Sequence, residues 1–247
     1  MPSPSLSALW ASAPPPAGPF HPDHTACLPE PARRYLTHTI APGTPLASAV
    51  RLRMHGEIRL QQQWYPFTAE QVIRRDGEML WRAATRIRGL PVTGFDCLNA
   101  GQGRMQWKLL GLFPVLASSG PDVTRSAAGR VLGESVWLPS RLCAPDVTWT
   151  APDPAHARAD LSLLGEWAHL TLALTDDGAL QSLCYQRWGN PGGPYQYTPF
   201  GGFVEQEATF DGYTLPSRLR LGWHFGTDRF EPEGEFFRVT LTHAAFR

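Results

Sequence analysis

Between Val50 and Leu60 the chain alternates without a break. Val50, Leu52, Met54, Gly56, Ile58 and Leu60 share one phase; Arg51, Arg53, His55, Glu57 and Arg59 share the other. Successive strand side chains point to opposite faces, so the large apolar groups fall on one face and every charge on the other. The same period returns in Trp81–Arg88, Arg104–Leu109, Leu170–Leu174, Arg218–Phe225 and Phe237–Leu241. Asp76-Gly77, Asp177-Gly178 and Asp211-Gly212 fall between such runs. Asp-Gly favours a hairpin turn because glycine accepts positive φ. Asn99–Gly103 and Glu231–Gly234 supply longer turns. Hairpin after hairpin makes antiparallel neighbours, so the pattern predicts a long meander with one wet and one apolar face.

Two segments break the two-residue period. Pro29 to Ile40 predicts a short helix, with Pro31 tolerated in its first turn and Gly43 following it. From Pro121 to Val136 an apolar stripe of Val123, Ala127, Ala128, Val131, Leu132 and Val136 recurs at helical steps. Gly129 and Gly133 weaken that helix by on the order of 1 kcal/mol each, so packing must hold it in place. A large sheet with one apolar face and two helices has to curl on itself and use the helices as cover. The expected fold is therefore mainly β: a single, strongly curved antiparallel sheet, half-barrel-like, with one or two covering helices. It occupies residues 27–247, with the helical lid at about 121–136.

Residues 1–26 read differently. Seven are proline, and no lysine or arginine precedes Arg33. Such a segment predicts a disordered proline-rich tail. It lacks the basic region and unbroken apolar run of a secretory signal. No stretch approaches the roughly 20 apolar residues of a membrane-spanning helix. The expectation is a cytoplasmic protein without a membrane span. Lys and Arg together number 22, as do Asp and Glu, so the formal net charge is zero and no nucleic-acid partner is implied. Lys108 is the sole lysine, a bias that deprives arginine counts of functional meaning. Cys27, Cys97, Cys143 and Cys184 form no C-x-x-C and read as reduced thiols.

Candidate chemistry is sparse. Glu134 sits one helical turn after Arg130 at the border of the apolar stripe. It can pair with Arg130 or another arginine as a lid anchor, which is the expectation, or serve as an acid, base or ligand anchor. Trp81, Trp107 and Trp223 each share the apolar face of their strand and either line a pocket or fill a core. His21-x-x-His24-x-x-Cys27 stands alone, so no metal is expected. Gly101-Gln-Gly103 leads into a strand rather than a helix and is a turn, not a phosphate cradle. Neither a G-x-S-x-G elbow nor H-E-x-x-H occurs, and neither a catalytic residue nor a cofactor is assigned.

Two blocks carry a resemblance: Leu28-Pro-Glu-Pro-Ala-Arg-Arg-Tyr-Leu36 and Leu132-Gly-Glu134-Ser-Val-Trp137-Leu-Pro139. With His55-Gly56, Ala69-Glu70-Gln71, Met79-Leu-Trp81, Gly101–Gly103, Arg187-Trp-Gly189 and Phe237-Arg238, residues 28–247 resemble an uncharacterised bacterial family of unknown function. Its relatives often carry an N-terminal membrane helix that this chain lacks. The outline is similar to the half-barrels of lipoprotein and lipid carriers, an analogy of fold and not of function. The reading adopted is a non-catalytic protein that binds an apolar small molecule or lipid between sheet and lid. Its candidate ligand contacts are Trp81, Trp107, Glu134, Trp137, Trp223 and Arg34. Two alternatives stand beside it: an enzyme using Glu134, and a structural or partner-binding domain with a filled core.

Overall fold

The computed structural model describes residues 5–247. Three α-helices, α1 (Leu6–Ala11), α2 (Glu30–Thr39) and α3 (Pro121–Gly133), accompany thirteen strands. The first meander comprises β1 (Ala49–Leu60), β2 (Gln63–Arg74), β3 (Met79–Ile87), β4 (Leu90–Asn99), β5 (Gln102–Leu109) and β6 (Phe113–Ser119). The second comprises β7 (Thr148–Asp153), β8 (His156–Leu163), β9 (Glu166–Leu174), β10 (Leu180–Gly189), β11 (Gln196–Phe210), β12 (Tyr213–Trp223) and β13 (Glu235–Phe246). They form one antiparallel sheet in the order β6-β5-β4-β3-β2-β1-β13-β12-β11-β10-β9-β8-β7, which is not closed into a barrel.

Each meander is built of sequential hairpins, and among the described strands β1 with β13 is the one strand pairing distant in sequence. β6 and β7 are therefore opposite edges of the sheet. The chain passes from one edge to the other through α3, which packs against β4, β5 and β6 of one arm and β8, β9 and β10 of the other. Register shifts at β1/β13, β5/β6, β11/β12 and β12/β13 supply the bends that an open sheet needs to wrap a helix. The arms meet at their turns, where Leu163 packs on Gly77 so closely that an added Cβ would lie 2.4 Å from it.

The alternation sorts the two faces as the sequence requires. Leu52 and Met54 are buried on the concave side, while Arg51 and Arg53 reach Glu70 across the outer face at 2.8 and 3.1 Å. The hydrogen bond from Arg51 holds the Glu70 carboxyl below its usual range. The expected helices appear at Glu30–Thr39 and Pro121–Gly133; the second then tightens into a 3-10 turn, Glu134–Trp137, instead of running on to Val136 as α-helix. α2 closes the core against β7, β8 and β12 through buried Tyr35 and Leu36.

The proline-rich start differs from expectation. Residues 1–4 of the predicted tail lie outside the described residues, but within 5–26 Leu9, Ala13, Phe20 and Thr25 are buried. Leu9 of α1 joins Val72, Leu80 and Cys97 on the outer face, and Phe20 is 1% exposed within the main core. Prolines 14 to 16 and 19 lack donors, yet the residues between them do not. Ala17 N donates to Leu46 O at 2.9 Å and Phe20 N to Thr44 O at 2.8 Å. A single buried ring in an extended segment leaves no periodicity to read. Phe20→Ala should cost about 3–5 kcal/mol, the usual loss for a buried ring that leaves a void. The check is a urea-unfolding midpoint; an unchanged midpoint would return the segment to the status of a tail.

Candidate functional site

Between α3 and the concave face lies a cavity of about 470 Å³. Ile58, Val92, Leu183, Leu219, Leu221 and Phe237 contribute to its apolar wall from five different strands. Trp81 and Trp107 stand together, ring centroids 5.8 Å apart, and Trp223 meets Phe200 edge-on at 5.0 Å. Glycine seats both outer tryptophans: a Cβ on Gly94 would lie 2.3 Å from Trp107, and one on Gly189 would lie 2.2 Å from Trp223. A larger groove of about 690 Å³ crosses the outer face past Arg53, His55 and Glu70, but it lies over the solvent-facing charge pairs already described.

One chain of polar groups crosses from lid to sheet. Arg130 Nε donates to Glu134 Oε1 at 2.7 Å, and Arg130 Nη1 donates to Asp96 Oδ2 at 3.0 Å. Gln71 Nε2, fully buried on β2, donates to Glu134 Oε2 at 2.6 Å. The guanidinium also lies 5.1 Å from the Trp81 ring centroid. Burial works against the charge on Arg130, but Glu134 and Asp96 outweigh it and raise its pKa. Burial also raises the Asp96 pKa, and Arg130 offsets this only in part. Asp96 keeps 24% of its side chain accessible, yet it lines the cavity and not the outer surface, so burial dominates. Tyr185 donates to Gly129 O at 2.9 Å, and burial pushes its hydroxyl up to about 12.

The residues singled out by sequence separate cleanly. Trp81, Trp107, Glu134, Trp137 and Trp223 all line the cavity. Glu134 pairs with Arg130 in the manner of a lid anchor. Trp137 is anchored too: its indole donates to Pro216 O at 3.0 Å and fastens the end of the lid to β12. Arg34 is a correction. It does not line the cavity but lies on α2, where it reaches Glu30 at 2.7 Å and Pro154 O at 2.8 Å. An acid one helical turn away and a carbonyl from the β7/β8 turn take its two terminal nitrogens outside the core.

Sequence reasoning missed Gln71, Asp96 and Arg187. A signal existed, because each sits in phase with apolar neighbours that face inward. Gln71 follows Phe67 and Ala69, Asp96 follows Val92 and Gly94, and Arg187 follows Leu183 and Tyr185. A polar residue on the buried phase of a strand marks an internal polar site.

Residues 18–233 match the profile of the Family of unknown function (DUF6544). No curated protein matches the sequence. Among solved structures the chain is similar to a LolA-superfamily protein from Nitrosomonas europaea, with 7% identity, a TM-score of 0.45, and 88% of this chain and 92% of that chain covered. It is also similar to a DUF1329-family protein from Desulfovibrio piger, with 11% identity, a TM-score of 0.36, and 81% and 86% covered.

The two carboxylates on Arg130 should respond in opposite ways to loss of charge. Glu134→Gln places an amide donor against Arg130 or Gln71, where each oxygen now accepts. It should destabilise by about 1–3 kcal/mol, measured as a shift in unfolding midpoint; no shift would mean that the bridge does not anchor the lid. Asp96 has a raised pKa, so the fold favours its neutral form. That contribution is complete below the unfolded value of about 3.9 and is lost as pH rises through the folded value. Asp96→Asn stays neutral throughout. It should be at least as stable as the parent near neutral pH, with the difference closing on acidification; unfolding at both pH values checks this. A variant weaker at neutral pH would show that the Arg130 attraction wins.

Proposed function

The chain belongs to the Family of unknown function (DUF6544), and we propose that it is a non-catalytic protein that binds an apolar or lipid-like ligand between its curved sheet and α3. The observation that carries this reading is the cavity itself. At about 470 Å³ it falls within the range of roughly 300–1,000 Å³ common to small-molecule sites, and its walls are mainly aliphatic and aromatic with a few polar groups. A core that existed only to be filled would close such a volume, because voids cost stability.

The cavity also has an apolar rim. Leu60, Ile87, Val115 and Leu116 line it from strand ends and the edge strand β6. Leu112 and Phe113 at the β5/β6 hairpin stand 73% and 60% exposed beside them. Exposed apolar side chains adjoining an apolar cavity give a nonpolar ligand a route that never requires contact with charge. Glu134 supports the non-catalytic reading, since both its oxygens already accept hydrogen bonds from protein groups. A free base needs an unengaged lone pair directed at substrate.

Ala127 lines the cavity from α3 and takes no part in the polar bridge, so Ala127→Phe should fill part of the space. The variant should bind N-phenylnaphthylamine, a neutral fluorescent apolar probe, at least tenfold more weakly, while melting no lower than the parent. Trp107→Leu should lose less than about 2 kcal/mol, below the usual cost of truncating a large core ring, because Trp107 already borders open space. Probe titration and unfolding curves read both. A parent that binds no probe, together with a strongly destabilised Trp107→Leu, would favour the filled-core alternative.

A further inference from the structure

Three arginines and two carboxylates line the cavity: Arg104, Arg130 and Arg187 against Asp96 and Glu134. Arg130 takes both carboxylates for itself. Arg187, on β10, is arranged otherwise. Its guanidinium lies 4.7 Å from the Phe200 ring centroid and 5.2 Å from that of Trp223. Nη2 donates to Ser126 O at a long 3.3 Å, and Nε is buried without a partner. Among the described residues no carboxylate forms an ion pair with it. Burial lowers its pKa, but a guanidinium remains charged near neutral pH.

A buried cation without a counter-ion is costly, and the fold has not met that cost with the nearby Asp96, which turns to Arg130 instead. The flanking rings shield Arg187 from water while leaving its fork on the cavity wall, where a pairing would be stronger than in solvent. The planar fork suits two oxygens on one centre. A monoanion balances the single charge of Arg187. A phosphate monoester, at about −1.5 to −2, would exceed it and meet repulsion from Asp96 and Glu134.

We propose that the ligand is a long-chain carboxylate whose head group pairs with Arg187 while its chain lies along the tryptophan-lined wall. This rests on the ligand-binding reading above and adds the head group to it. The test measures displacement of N-phenylnaphthylamine by dodecanoate, dodecanol and dodecyl phosphate near neutral pH, on the parent protein and on Arg187→Met and Arg187→Lys.

The parent should bind dodecanoate at least tenfold more tightly than dodecanol, and more tightly than dodecyl phosphate. Arg187→Met should lower dodecanoate affinity at least tenfold and leave dodecanol unchanged. Its melting temperature should equal or exceed the parent's, since an unpaired buried charge is removed. Arg187→Lys, which keeps the charge and loses the fork, should fall between the two. If Arg187→Met does not fold, the three ligands on the parent and Arg187→Lys still decide the matter. Equal affinity for acid and alcohol on the parent would overturn the head-group assignment and leave the cavity reading standing. Tighter binding of the phosphate would overturn the monoanion, and an equal loss of acid and alcohol in Arg187→Met with a lower melting temperature would make Arg187 structural. Binding of none of the three, nor of the probe, would remove the cavity reading itself.

Discussion

Arg130 joins the helix that crosses the concave face to the sheet beneath it, and much else depends on that junction. Its guanidinium spans Glu134 on the lid and Asp96 on β4, while Gln71 on β2 holds the second oxygen of Glu134. The chain offers no alternative cover at this place. The first meander ends at one edge of the sheet, the second begins at the other, and α3 is what lies between. A buried ion pair gains little against desolvation, but removing one member strands the others without compensation. The network therefore constrains where the helix sits more than it strengthens the fold.

That constraint explains a helix that its own sequence supports poorly. Gly129 and Gly133 lower its propensity, yet both stand where β10 side chains come against the lid. A Cβ on Gly133 would lie 2.3 Å from the Tyr185 hydroxyl, and one on Gly129 would lie 3.3 Å from the Arg187 stem. Close approach to the sheet is obtained at the expense of helical propensity, and tertiary contacts supply the difference. Trp137 completes the arrangement by fastening the 3-10 turn to Pro216 at the far end. The cavity lies beside these fixed points, and Val123, Ser126 and Ala127 line it from the preceding turns of the helix. Cavity and polar bridge are thus two consequences of one packing solution.

Charge inside the cavity follows the same logic. Polar groups on the buried phase of β2, β4 and β10 converge below α3, where Arg130, Asp96 and Glu134 satisfy one another. Arg187 is left with aromatic rings for company.

The chain's local pattern marked six of the thirteen strands, the buried face of each, and where two helices interrupt the sheet. Val50 to Leu60 shows why: a two-residue period reports orientation directly, and Asp76-Gly77, Asp177-Gly178 and Asp211-Gly212 mark reversals through backbone chemistry alone. Trp81, Trp107 and Trp223 could be assigned to the apolar face on that basis. The same pattern is silent about partners. It gives no reason for β1 to pair with β13, for Phe20 to enter the core, or for Arg34 to turn outward while Arg187 stays within. Orientation is set by neighbours one or two residues away. Partnership is set by the curl of the whole sheet, which brings Gln71, Asp96 and Arg187 from three strands beneath one helix. Only the folded chain encloses a volume, so only the tertiary structure decides between a filled core and a cavity.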